Sequence, residues 1–399
     1  MQGAGFPRLL ALFYSPGMNS LNSSDVAELA KFNVVILGAY AGWSTSAYPN
    51  LKSAVTALKA ANPSVLVGNY SILMEAYQDG SARASKLTNS NWWLKTASAA
   101  QVYEYSGSWT VDPTVDTAPD SNGQRYPQWF ASYWDTSVPM GSSGLDFWFL
   151  DTVYHLTQQQ YLSGGSATGA NWLINGVNQA TADPTASAAM RAAQAAEWTA
   201  IEALEPQMLL MGNTDKGSLT YAEYQHKLPA ALLEGVTGQT WSVDTWGGWA
   251  EMMAWYAETV ADTISPNMVV MGGLPTSNTD YALFRYTLCS TLLGDGYLTW
   301  ADASGYGTVP PWMDEYNVKL GTASTTAAAA QAAPYQNGVY RRDFQNGIAL
   351  VNPRGNGTRT VSLGGTFYKI SGTQDPVTNN GQAVTSVTLN AADGIILTR

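Results

Sequence analysis

Apolar positions along the chain fall into eight short runs: RLLALFYS (8–15), FNVVILGAY (32–40), SVLVGNYSIL (64–73), LDFWFLDTV (145–153), QMLLMGNTD (207–215), ALLEGV (231–236), NMVVMGG (267–273) and GYLTWAD (296–302). Each is continuous rather than alternating in polarity, which marks strands buried on both faces, as in a parallel sheet. Segments with helical spacing lie between them. They include DVAELAKF, NLKSAVTALKAAN and the Ala-rich TASAAMRAAQAAEWTAIEALEP, where Pro206 marks the stop. WGGWAEMMAWYAETVA and DYALFRYTLCSTLLG follow, the second ending at Gly294 as a C-cap would. Eight strands with intervening helices predict an α/β fold, a (β/α)8 TIM barrel. A doubly wound sheet competes, but it would usually carry a Gly-rich phosphate loop after its first strand, and FYSPGMNS is not one.

Two segments depart from this rhythm. After the third strand, residues 74–127 are polar and rich in Trp and Tyr; helical spacing returns only in PQWFASYWDTSV. Long loops inside compact domains are usually functional. This one leaves the C-terminal end of a strand, so it is expected to overhang the active face of the barrel. The second change follows STTAAAAQAAP. From residue 334 alternating strands are separated by Asn-Gly, Gly-Asn-Gly and Gly-Gly turns. We therefore expect a catalytic barrel over 1–325 and a C-terminal antiparallel β-sandwich over 334–399, packed together because so small a domain has a marginal core alone.

Composition narrows the function. The 399 residues are 45% hydrophobic but only 12% charged, with 22 Tyr and 15 Trp against 9 Phe. Aromatics with a polar handle suit ligand-facing surfaces. The formal net charge is −11, and the only basic cluster is the pair in VYRRD. Nucleic acid and anionic membrane surfaces, which need basic faces, are excluded as partners. No apolar run approaches the ~20 residues of a membrane span. The start, MQGAGFPRLLALFYS, lacks a basic n-region and a cleavage site, so an export leader is not visible. The single cysteine, Cys289, fits a core position on a helix and leaves no disulfide within the chain. With two histidines, His155 and His226, a zinc site is not expected, and neither lies near a nucleophile-elbow motif. No metal or other cofactor is called for.

The chemistry is expected at the strand ends. Asp151 closes the apolar run of the fourth strand, and an unpaired carboxylate is expensive to bury. In (β/α)8 enzymes catalytic groups stand at the C-terminal rim. Glu234, ending ALLE on the sixth strand, has the same placement, with Gly235 leaving room beside it. Two carboxylates on one rim suggest glycoside hydrolysis, one attacking or activating water and the other protonating the leaving oxygen. Asn69, Tyr70, Asn213, Asp215 and Asp302 are further polar candidates for contacting substrate. Tyr14, Tyr40, Trp43, Trp241 and Trp300 are candidate sugar platforms. His155 and Glu75 are outside candidates. Capping, salt bridging and core packing are the plain alternatives for each of these residues.

The stretches LDFWFLDTV, ALLEGV, LFRYTLCSTLLGDGYLTWAD, GVYRRDFQNGIALVNPRGNGTRTVSLGG and VTSVTLNAADGIILTR together resemble the hypothetical glycosyl hydrolases of glycosyl-hydrolase-like family 15. The layout is also similar to α-galactosidase-type and polygalactosaminidase-type barrels. The resemblance implies a glycosidase acting on an oligo- or polysaccharide. It also implies Asp151 as nucleophile, Glu234 as acid/base and a retaining mechanism. In the usual α-galactosidase pattern a Lys stands two residues before the nucleophile; here it is Phe149, which separates this chain from the true α-galactosidases. A nucleophile would need a low pKa and the acid/base a raised one. An extracellular or periplasmic location is the expectation, with a cytoplasmic one left open. The competing reading is a non-catalytic carbohydrate-binding protein on a glycosidase scaffold. Retention of both carboxylates argues against it. A lyase or transglycosylase using the same pair is a third.

Overall fold

A computed structural model describes residues 5–95, 99, 101–105, 107–157, 171–174, 177–180 and 183–399. The chain opens with β1 (Leu10–Phe13), α1 (Ser23–Leu29), β2 (Val34–Leu37), α2 (Leu51–Ala61) and β3 (Leu66–Ile72). An insertion follows, with β4 (Glu75–Tyr77), α3 (Ala82–Asn89), β5 (Tyr103–Tyr105) and β6 (Ser108–Thr110). Next come α4 (Tyr126–Ser137), β7 (Phe147–Val153), a hairpin of β8 (Asn171–Ile174) and β9 (Val177–Ala180), then α5 (Pro184–Leu204). The barrel is completed by β10 (Leu209–Thr214), β11 (Ala230–Thr237), α6 (Val243–Trp246), α7 (Gly248–Asp262), β12 (Met268–Gly273), α8 (Tyr281–Leu292) and β13 (Tyr297–Trp300).

Eight parallel strands pair in the order β1-β2-β3-β7-β10-β11-β12-β13. The sheet closes where Leu9 bridges Leu298 and the Leu298 amide donates to the Arg8 carbonyl at 2.9 Å. Alternate side chains fill the interior: Leu10, Leu12, Val34, Ile36, Phe147, Phe149, Met211, Ala230, Leu232, Met268, Val270 and Tyr297 form one buried cluster. The residues between them face the helices, which explains runs that are apolar on both faces. Local side-chain chemistry starts the helices. Asn22 and Asn50 cap α1 and α2 through their side chains, and Asp183 caps α5 just before Pro184.

The second unit is antiparallel: β14 (Tyr340–Phe344), β15 (Gly347–Asn352), β16 (Arg359–Lys369), β17 (Ala383–Leu389) and β18 (Asp393–Thr398) pair in the order β14-β15-β18-β16-β17. The pairing of β16 with β17 breaks register between Ser362 and Phe367, where Gly364 adopts φ +75°. That bend lets the sheet fold over its own core of Ile348, Leu350, Val361, Phe367, Val387 and Leu397. Its opposite face, with Ala349, Val351 and Ile396, joins the main core. Helix α8 is trapped between barrel and sheet, so Phe284 through Leu292 are all buried, Cys289 among them.

Two local expectations are revised. The long polar insertion is not merely a loop: β4, β6 and β5 form a small antiparallel sheet, with α3 beside it. Three-residue strands carry too little periodicity to show in a sequence. Gly294 does not cap α8 in the left-handed region; Leu293 is the cap residue. Gly294 instead permits close approach of Tyr256, whose ring atoms lie 2.3 Å from where a Cβ would stand.

Candidate active site

Strand alternation decides which rim residues meet. Following Phe147 and Phe149 along the lumen face of β7 leads to Asp151; Leu209 and Met211 lead to Asn213, Ala230 and Leu232 to Glu234, Leu10 and Leu12 to Tyr14. Tyr70 caps the same face of β3, its ring 5.8 Å from Phe149. These five side chains converge at the C-terminal mouth.

The Asn213 amide nitrogen donates to Asp151 Oδ1 at 2.8 Å and to Glu234 Oε2 at 2.6 Å. The sum of those two lengths, about 5.4 Å, is the greatest separation the two oxygens can have. Each carboxylate also has a phenol of its own. Tyr70 donates to Asp151 Oδ2, and Tyr306 donates to Glu234 Oε1 at 2.9 Å. Tyr14 lies against both phenols, with ring centroids 5.4 Å from Tyr70 and 5.6 Å from Tyr306. The Tyr14 amide donates to the Tyr306 carbonyl at 3.0 Å, fixing the loop after β13 to the end of β1.

Backbone irregularity aims the pair. Between Leu150 and Val153, β7 carries two residues opposite the single Asn213 of β10. Thr152, the second of these, is held at φ +64°. A bulge of this kind re-aims a side chain, and a β-branched residue at positive φ is strained. The strain is held by neighbours. Thr152 N donates to Asp151 Oδ1 at 2.9 Å, and Gln194 of α5 donates to the Thr152 carbonyl at 2.9 Å. Tyr224 secures Gln194 by donating to its Oε1 at 2.6 Å. Strand β11 is irregular at the matching place: Leu233 opposes Met271 but Thr237 opposes Gly273, and Gly235 sits at φ +60°. Each carboxylate is therefore followed by one residue in the left-handed region.

Both carboxyls are pushed above the ordinary carboxylate range. For Glu234 burial is the main cause and the neighbouring Asp151 charge adds to it, against the bonds from Asn213 and Tyr306. For Asp151 burial outweighs the bonds from Tyr70, Asn213 and Thr152. The low pKa expected of Asp151 is thus not met, because the carboxyl lies below the rim among aromatic rings. The same site raises the Tyr14 phenol to about 12, through burial and then the charges of Glu234 and Asp151.

The other candidates make contacts of their own. Asn69, one residue before Tyr70, points to the opposite face and is fully buried; its amide exchanges bonds of 2.9 and 3.0 Å with the Ala39 backbone. Trp43 is buried and donates to the Met18 carbonyl at 2.8 Å. Trp300 is buried edge-on to Phe284. Asp215 pairs with His155 Nδ1 at 2.9 Å in the loops after β10 and β7. Asp302 organises an exposed turn, accepting from Ser304 and from Asn278 at 2.7 Å; although burial opposes it, these bonds lower its pKa. Glu75 is buried in the insertion, accepting from Ser108. Tyr40 and Trp241 remain largely exposed; Tyr40 donates to Asn19 at 3.1 Å, and Trp241 lies against Gly235 beside Glu234. Among the described residues, no three His, Cys, Asp or Glu side chains are grouped as a metal site needs. Tyr306 is the member that strand-end reasoning misses. It lies in the loop SGYGTVPP beyond β13, and only its flanking glycines mark it.

The fold is a parallel (β/α)8 barrel, and two carboxylates stand close together at its C-terminal mouth. Residues 59–348 match the family described as hypothetical glycosyl hydrolase family 15, and the chain belongs to that family. No curated protein matches it. Among solved structures it is similar to the glycoside hydrolase domain of PelA from Pseudomonas aeruginosa, at 17% identity and a TM-score of 0.45, over 76% of this chain and 98% of that one. An α-amylase from Anoxybacillus is similar at 8% identity and a TM-score of 0.50, over 97% of each chain. The α-galactosidase AgaA from Geobacillus stearothermophilus is similar at 11% identity and a TM-score of 0.49, over 99% of this chain and 56% of that one. At such identities the likeness concerns the fold alone. The protein is an enzyme whose substrate is a carbohydrate, and no helix among the described residues is long and apolar enough to cross a membrane.

Proposed function

We propose that this enzyme cleaves an oligo- or polysaccharide by a retaining mechanism, with Asp151 as nucleophile and Glu234 as acid/base. The observation that carries the reading is the pair of carboxylates bonded to one amide nitrogen. Oxygens no more than about 5.4 Å apart lie within the ~5–5.5 Å spacing of retaining enzymes and short of the ~6.5–9.5 Å of inverting ones, which supports retention. The division of roles follows from the donors. Asp151 accepts three hydrogen bonds, Glu234 two, and the charge of one opposes ionisation of the other. The first proton therefore leaves Asp151, and Glu234 keeps its proton for the leaving oxygen. Asp151 then attacks the anomeric carbon as the glycosidic bond breaks and Glu234 transfers its proton. Water, deprotonated by Glu234, releases the sugar from Asp151. Tyr40 and Trp241, exposed in the loops after β2 and β11, offer flat faces to sugar units.

The test is kinetic. Asp151→Asn should abolish turnover of every substrate. Glu234→Gln should suppress cleavage of natural glycosides and spare activated aryl glycosides, whose leaving groups need no proton. Azide should partly rescue Glu234→Ala on an aryl glycoside and yield a glycosyl azide. Equal losses on both substrate types, without azide product, would refute the roles; full activity in both variants would refute the pair.

A further inference from the structure

We infer that Asn213 is a positioning residue: its amide clasps Asp151 and Glu234 at a set spacing and lowers the proton affinity of both, rather than binding substrate. This rests on the carboxylate pair proposed above. An amide nitrogen has two hydrogens, and both are engaged, one on each carboxylate. None is left for a sugar hydroxyl. The orientation is set by chemistry as well, because turning the amide over would aim its oxygen at two acidic groups.

The location reinforces the role. Asn213 is the single residue of β10 that faces the two-residue bulge of β7, so its Cα is registered against the segment that carries Asp151. Its neighbours Gly212 and Met211 pair in regular register with Leu150 and Phe149, and Asn213 itself pairs with Leu232, two residues before Glu234. The clasp is thus built from the middle strand of three, and its reach is fixed by the sheet. Among the described residues, the titratable groups facing the pair include Tyr14 just after β1, Tyr70 from β3 and Tyr306 from the loop after β13. All three are phenols whose pKa is raised, so they stay neutral while the carboxyls titrate. Asp215, two residues beyond, is paired with His155. Asn213 accordingly donates to both members of the pair.

The experiment needs no substrate. Carboxyl titration of the free enzyme, followed by 13C NMR of labelled Asp and Glu, is compared between wild type and Asn213→Ser. Signals are assigned by their loss in Asp151→Asn and Glu234→Gln. Removing a donor to two charged groups should move both titration midpoints to higher pH, each by about one pH unit, the effect of one charge-assisted hydrogen bond. Asn213→Asp, which adds a third carboxylate, should move them further in the same direction and provides a second variant should the serine protein fold poorly. Where an aryl glycoside is cleaved, the bell-shaped kcat/KM profile of Asn213→Ser should shift bodily upward in pH, with kcat falling ~10- to 100-fold. Unmoved midpoints in a folded variant would overturn the inference, and so would a rise in KM alone. The titration result stands apart from the function reading, which fails only on the activity of the Asp151 and Glu234 variants.

Discussion

Replacing Gly235 with alanine should disable the site while leaving the fold largely intact. The residue follows Glu234 directly and adopts φ +60°. An alanine there bears the left-handed penalty of ~1–2 kcal/mol. The new Cβ would also stand 2.1 Å from Cη2 of the Trp241 indole, so the ring must leave. Trp241 is 55% exposed and can swing into solvent, so the ring's loss of contact adds only ~1 kcal/mol. The total, ~2–3 kcal/mol, is divided by a melting entropy of ~0.8 kcal/mol per kelvin for a chain this long, and predicts a Tm lower by about 2–4 °C. Activity should suffer more. Any relaxation of Gly235 passes to Glu234 through the shared peptide, and a displacement of ~1 Å at a reacting group reduces rate by ~100-fold. The assay is kcat and KM on an aryl glycoside beside a thermal melt, for Gly235→Ala, Trp241→Ala and the double variant. In the double variant the clash is gone, so its Tm should fall by less than the sum of the single losses. Gly235→Ala with wild-type kcat and Tm would refute the reasoning; additive losses would show that Trp241 and the Gly235 site act independently.

Further outcomes follow from the same geometry. Tyr306→Phe removes a donor that favours ionised Glu234, so the Glu234 pKa should rise and the alkaline limb of the kcat/KM profile should move to higher pH; a limb that stays or falls would contradict the contact. Arg285 of α8, its side chain only 4% exposed, pairs with Asp375 at 2.6 Å and Asp393 at 3.1 Å across to the C-terminal sheet. Arg285→Met should leave those carboxylates unmatched and lower stability by ~3–5 kcal/mol, or about 4–6 °C in Tm, measurable by calorimetry; an unchanged Tm would show that the pairs merely offset their desolvation.

Much of the architecture was decided by the sequence alone. Parallel strands covered by helices on one side and by lumen packing on the other must be apolar throughout, so the eight runs announced the barrel, and each run's end marked the rim. The carboxylates stood out there because an acid closing an apolar strand has few structural uses. The Gly-rich turns likewise announced the antiparallel sheet. Alternation could have gone further than it was taken. Asn69 and Tyr70 are consecutive, so only one of them can face the lumen, and Tyr70 shares its face with Leu66. Tertiary structure alone decided the rest, because the deciding quantities are distances between segments far apart in the chain. Nothing local shows that Asn213 reaches both Asp151 and Glu234, or that Tyr306 returns from a loop to Glu234. Nor does any local signal place Thr152 at positive φ, where the Gln194 amide, 42 positions away, holds its carbonyl. Trp43 and Trp300 show the converse. An aromatic ring at a rim reads the same whether it turns toward ligand or toward core, and only the packing of Met18 and Phe284 around these two settled the matter.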